Sequence, residues 1–312
     1  MSTSKTAVQK AIKEICRKPP QHWVGDGFHV YPVFANKAFT QELSPFLMFD
    51  YAAPKEFPPE KRNPNRRRGV GQHPHRGFET VTIAFQGEVE HADSQGNSGV
   101  IGPGDVQWMT AAKGIIHEEF HSTKFSKTGG TFEMCQLWVN LPKKYKMKKP
   151  RYQPILSKDI PSVPLVSVSG ESDGDAENVC TLEEASAKII SGEFRGVKGP
   201  AKTFSPVNLW IVSLATKAKE FELEFVEGHT TLVFVQKGGI TVQGKELNLA
   251  DVAIMDRAGS KLVVKATQKN TSLLILSGEP IDEPIAAHNG NRNKCNNMYC
   301  HCLYWSTPRP QY

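Results

Sequence analysis

The chain is poor in several features that would place it quickly. Nowhere in its 312 residues does an apolar run approach the roughly 18 residues of a membrane-spanning helix, so no membrane partner is expected. The N-terminal stretch MSTSKTAVQKAIKEICRK lacks the unbroken apolar core of a secretory signal. Glu14 interrupts the basic face that a mitochondrial presequence would show. Cysteine is sparse, with Cys16, Cys135, Cys180, Cys295, Cys300 and Cys302. Without a signal these read as free thiols in a reducing compartment, cytoplasmic or nuclear. Neither of the two basic clusters, Lys61–Arg68 and Lys143–Arg151, that contribute to the net charge of +6 is interleaved with a series of stacking aromatics. They read as solvated loops, and no direct nucleic-acid contact is expected. Helical periodicity is nearly absent after residue 20.

What is present is a succession of short alternating runs. Residues 5–17 keep a helical period through Val8, Ala11, Ile12 and Ile15 and predict a short N-terminal helix. WVGDGFHVYPVF reads as strand, Asp-Gly turn, strand. Residues 53–71 are rich in Pro, Lys and Arg and read as a long loop. FETVTIAFQGEVEHAD, VIGPGDVQWMTA, GIIHEEFHS and EMCQLWVNL alternate and turn like strands. LEEASAKII, within a polar connector, is helix-like. Short strands at this spacing predict an all-β, antiparallel barrel or sandwich.

Two regions echo one another. Thr80 to Gly87 (TVTIAFQG) matches Thr231 to Gly238 (TLVFVQKG), and Asp105-Val106 matches Asp251-Val252. A period near 150 residues points to duplication of one domain. The expected organisation is a helical extension at 1–20, a barrel at 21–153, a connector at 154–205, a second barrel at 206–288 and a tail at 289–312.

His73 and His75 flank Pro74, and residues i and i+2 of a strand share a face. Pro74 favours the extended backbone that this requires. GIIHEEFHS repeats the device with His117 and Glu119, while Glu118 faces the other way. Three imidazoles and one carboxylate suit a divalent transition metal with open positions. His121 continues the parity of His117 and falls near the pocket. His22, His29, His91, His229 and His288 have no convergent partner and read as structural or surface residues. In the second repeat the counterparts of the four ligands are Glu224, Val226, Val263 and Lys265, so one half carries the site. Cys295, Cys300, His301 and Cys302 spell C-x4-C-H-C, a spacing that fits no standard zinc finger.

HPHRGFETVT, GVIGPGDVQWMTAAKGIIHEEF, QLWVNLP and LSGEPIDEPI together resemble the pirin family of the cupin superfamily, over about residues 20–288. The resemblance implies a bicupin of two facing antiparallel β-barrels of jelly-roll type with short peripheral helices. It implies iron(II) in the first barrel, held by His73, His75, His117 and Glu119, although Mn, Co, Ni or Cu could fill such a site. General cupins often use the glutamate of the first motif, here Glu79, and strand parity leaves both glutamates open. After Ile285-Ala286-Ala287-His288 the tail departs from the family's usual continuation. Two functions follow from the resemblance. One is a quercetin 2,3-dioxygenase acting on a flavonol and O2, with Glu119 as ligand and general base, and Phe78, Trp108 and Met109 lining the pocket. The other is an iron-dependent redox-sensing nuclear cofactor that binds transcription factors as protein partners. The chain is expected to be a monomer.

Overall fold

The computed structural model describes residues 8–289, except 62, 64, 65, 169–177 and 218, together with the backbone of His301–Leu303. Almost all of the alternating runs become antiparallel strands. Among the described residues no helix is long and apolar enough to cross a membrane.

The described chain divides into two units. The first takes Pro19–Asp159 and the described residues from Ile281 on; the second takes Ile160–Pro280 and the described residues up to Lys18. Of the N-terminal helix expected over 5–17, the described residues 8–17 form no helix. Ile12–Cys16 is instead a strand, β1, paired antiparallel with Val252–Met255. Ile12 and Ile15 pack on the second unit's core. A helix would bury the same two side chains, but only a strand satisfies the open hydrogen-bonding edge beside it, and this tertiary demand outweighs local propensity.

In the first unit the strands used below are Phe28–Pro32 (β2), Phe46–Phe57 (β3), Gly69–Arg76 (β4), Phe78–Gln86 (β5), Val89–Asp93 (β6), Val106–Thr110 (β7), Ile115–His121 (β8), Gly130–Asn140 (β9) and Arg151–Ile155 (β10). In the second they are Ala185–Ser191 (β11), Val207–Leu214 (β12), Glu220–Glu224 (β13), Thr230–Lys237 (β14), Gly239–Val242 (β15), Val252–Met255 (β16), Lys261–Ala266 (β17) and Thr271–Gly278 (β18). The larger sheet of the first unit runs β10-β7-β5-β9-β3-β2 and ends on His22–Val24. That of the second runs β1-β16-β14-β18-β12-β11 and ends on Ser162–Pro164. The smaller sheets contain β4-β8-β6 and β13-β17-β15 in corresponding places. Strand for strand the two orders match, as the internal echo predicts: Thr80 lies on β5 and Thr231 on β14. Both units are open two-sheet jelly rolls rather than closed barrels.

LEEASAKII is not helical. Leu182–Glu184 turn, and β11 follows with Ala185, Ala187 and Ile189 buried while Ser186 and Lys188 are half-buried. That period of two fits a sheet with one face on the core. The second unit's core is continuous and holds Trp210, Phe221, Leu223, Leu262, Val264 and Ile275. Among the described residues, Cys16, Cys135 and Cys180 form no disulfide. The C-x4-C-H-C stretch lies outside the described residues apart from the backbone of His301–Leu303, which runs parallel to β4.

Candidate metal centre

Strands β4 and β8 are antiparallel neighbours. Their register sets His73 opposite His117 and His75 opposite Ile115. Beyond that point it shifts, and Glu119 opposes Val70. β4 therefore spends one residue more than β8 between the two pairs, a bulge at Gly71-Gln72. At Gly69 a β-carbon would collide with the backbone of Glu119 and Phe120, so glycine permits the close approach. Along β8, His117, Glu119 and His121 are buried, whereas Ile116, Glu118 and Phe120 face outward. The parity argument from sequence holds on this strand.

His73, His75 and His117 converge: one ligand nitrogen from each lies within 4.8 Å of the others. The ring centroids are 4.2 to 4.7 Å apart. His73 Nδ1 is 2.9 Å from the Gly71 carbonyl oxygen. A carbonyl can only accept, so Nδ1 carries the proton and Nε2 is left with its lone pair. Both ring nitrogens of His117 are buried with no hydrogen-bond partner among the described residues. Burial holds the pKa of His73 below its usual value and that of His117 well below it. Neutral imidazoles with free lone pairs are the ligating form of histidine. A buried donor without a partner is otherwise costly, so this set fits a transition metal ion.

Glu119 Oε2 lies 4.0 Å from His117 Nε2. Its carboxyl is held by two side chains from the larger sheet. Thr82 Oγ1 lies 3.1 Å from Oε1, and Gln136 Nε2 donates to Oε2 at 3.3 Å. Thr82 Oγ1 is also 2.9 Å from Gln136 Oε1. One hydroxyl proton cannot serve both contacts. The ring closes when Glu119 itself carries a proton, consistent with burial pushing its pKa up to about 7. Glu79 is buried on β5, accepts from Thr110 Oγ1 at 2.6 Å, and has its pKa raised to about 7 by burial. The cavity is walled by Glu119 and not by Glu79.

That cavity has a volume of about 470 Å³ and opens beside His73, His75 and Glu119. Its walls follow the alternation of the strands: Phe28, Val30 and Pro32 from β2, Met48 and Asp50 from β3, and Met134, Gln136 and Trp138 from β9. Phe78, Trp108 and Met109, expected there from the sequence, are fully buried and do not line it. Phe78 instead packs at 5.1 Å from the His75 ring and 4.5 Å from Trp138, behind residues that do. Strand parity alone does not say which inner-face residues meet empty space and which meet other side chains.

Among the described side chains, His121 and His91 take structural roles. His121 Nε2 donates to the Gly27 carbonyl at 2.9 Å inside a nest of Phe28, Phe57, Phe125 and Phe132, and burial lowers its pKa to about 4. His91 Nε2 accepts from the Tyr152 hydroxyl at 2.6 Å, with its pKa also lowered to about 4 by burial. His22 belongs to the cavity wall. Asp50, Thr82 and Gln136 were not singled out from sequence; each falls inside an ordinary strand pattern with no motif to mark it.

A duplicated jelly roll with a histidine cluster in one half defines a two-domain cupin. The chain belongs to the pirin family. The Pirin family model matches residues 27–139, and the model of the pirin C-terminal cupin domain matches residues 211–291. It is 50% identical over 279 residues to a Pseudomonas aeruginosa protein described as "putative quercetin 2,3-dioxygenase", covering 89% of this chain and 90% of that one. It is 30% identical to human pirin over 253 residues, covering 80% and 76%. Among solved structures, a quercetin 2,3-dioxygenase from Acinetobacter baumannii is 45% identical, with a TM-score of 0.79 and coverage of 90% and 91%.

Proposed function

We propose that His73, His75, His117 and Glu119 hold a divalent transition ion, iron(II) foremost, and that the chain is a flavonol 2,3-dioxygenase of the quercetin type. The carrying observation is the convergence of three buried imidazoles, His117 without a hydrogen-bond partner among the described residues, beside an apolar cavity. The likeness to the P. aeruginosa protein and to the A. baumannii quercetin 2,3-dioxygenase supports the reading. When bound, the ion supplies Lewis-acid polarisation of a substrate oxygen and the redox chemistry needed with O2.

The chain's own residues supply the rest. The Gly71 carbonyl fixes the tautomer and orientation of His73. Thr82 and Gln136 hold Glu119 in place. In its carboxylate form Glu119, so held at the cavity wall, is placed to accept the proton of the flavonol hydroxyl that reaches the centre. Phe28, Val30, Met48, Met134 and Trp138 offer flat apolar contact to an aromatic substrate and exclude water. A redox-reporting module would need the ion but no cavity of this size and lining, and that favours the enzyme. The test is metal analysis of the purified protein followed by O2 consumption with quercetin. The wild type is expected to contain metal and consume O2, and His75→Ala to lose both. Full metal loading without turnover on several flavonols overturns the reading.

A further inference from the structure

The inner face of the first unit's larger sheet carries a polar row that the metal centre only partly uses. Cross-strand pairing aligns Pro32, Asp50, Gln136 and Thr82 on β2, β3, β9 and β5. Thr82 and Gln136 are occupied with Glu119. Asp50, next in the row, faces the same cavity as His73, His75 and Glu119. Among the described residues no hydrogen bond or ion pair reaches its carboxyl. The side chain keeps some exposed surface because it borders the cavity, yet the surrounding protein desolvates the carboxyl and pushes its pKa up to about 7.

The second unit shows what the fold itself asks of this row. Thr82 corresponds to Val233 through the sequence echo. Pairing then carries the row through Ile275 and Trp210 to Ile189. All four lie in the apolar core. A carboxyl at Asp50 is therefore not required by the architecture. An acid in an apolar wall without a partner destabilises a protein unless something else supplies the missing contact. Of its two cross-strand neighbours, Pro32 has no side-chain donor, and Gln136 Nε2 donates to Glu119 instead.

We propose that Asp50 is a specificity-determining residue whose carboxyl accepts a hydrogen bond from a second hydroxyl of a polyhydroxylated aromatic substrate, distinct from the hydroxyl that meets the histidine cluster. This rests on the flavonol reading above. A carboxylate can only accept, and a phenolic hydroxyl is a donor on a flat ring that the apolar walls suit. A donor bound at this carboxyl also favours its charged form, offsetting the cost of burial.

The experiment compares metal-loaded wild type with Asp50→Asn and Asp50→Leu under nitrogen, without turnover. Dissociation constants are measured by fluorescence quenching for quercetin and for 3-hydroxyflavone, which has a single hydroxyl. The wild type is expected to prefer quercetin by about tenfold or more, the equivalent of one charge-assisted hydrogen bond. Both variants are expected to lose most of that preference while keeping their metal content and a thermal midpoint no lower than wild type. An unchanged preference, or a midpoint lowered by several degrees in both variants, overturns the assignment; the latter marks Asp50 as structural. Failure of the underlying flavonol reading looks different: metal-loaded wild type then binds neither compound, and both proposals fall together.

Discussion

The two units use the same strand order for opposite ends. Where β4 and β8 turn His73, His75, His117 and Glu119 inward, the corresponding β13 and β17 turn Phe221, Leu223, Leu262 and Val264 inward. Where one larger sheet carries Thr82, Gln136 and Asp50 across its inner face, the other carries Val233, Ile275 and Trp210. The charged residues of β13 and β17 face outward and pair: Lys261 Nζ lies 2.6 Å from Glu222, and Lys265 Nζ 3.4 Å from Glu220. Identical topology thus gives a filled apolar core in one unit and a cavity beside a histidine cluster in the other. The fold supplies the inward positions; the side chains placed there decide whether they stabilise or react.

If that contrast is right, the second unit answers to packing alone. Trp210 lies 4.9 Å from Phe194 and stacks at 5.7 Å on Phe225. Trp210→Ala is expected to cost about 3–5 kcal/mol through lost burial and a cavity. Denaturant unfolding measures it. A loss under about 1 kcal/mol would show that this core tolerates openings as the first unit does.

A second way to separate the units is pH. Most of the buried groups with strongly displaced titration lie in the first unit: His91 and His121 with pKa values near 4, and Asp50, Glu79 and Glu119 near 7. Between pH 6.5 and 4 the unfolded chain takes up protons that folded His91 and His121 refuse, so these two histidines lower stability as pH falls. The full effect is about 3 kcal/mol each. The three carboxyls act the other way. They keep their protons when folded, so rising pH from about 4.5 to 7 removes stability. His121→Phe is expected to flatten the acid limb of a plot of thermal midpoint against pH, whatever it does to absolute stability. An acid limb of unchanged slope would mean that His121 titrates normally.

The smallest expected effect lies in the polar row. Gln136→Leu makes the first unit's row more like the second's and removes a donor to Glu119. Metal affinity is expected to fall roughly 10- to 100-fold, the usual cost of losing a support to a ligating side chain. Competition against a metal chelator reads it. No change would mean that Glu119 is positioned without Gln136.

The sequence counterparts Glu224, Val226, Val263 and Lys265 prove to be one residue or more out of register. Glu224 and Val226 are exposed, and Val263 and Lys265 lie on the half-buried outer face. The conclusion drawn from them survives for a different reason: among the described residues the histidine cluster occurs in the first unit, and the inward positions of the second are apolar. A one-residue slip reverses the face of a strand, and unequal loops between the echoing segments are enough to produce it.

By itself the sequence determined the all-β class, the duplication, and that His73 shares a face with His75 and His117 with Glu119, because a period of two fixes which residues share a face and needs no knowledge of the partner strand. It did not determine that Ile12–Cys16 and Ala185–Ser191 are strands, since an open sheet edge and a shared core overrule weak local periodicity. It also could not find the Asp50–Gln136–Thr82 row. Those three residues lie on three different strands, far apart along the chain, and only the register of one strand against the next brings them side by side.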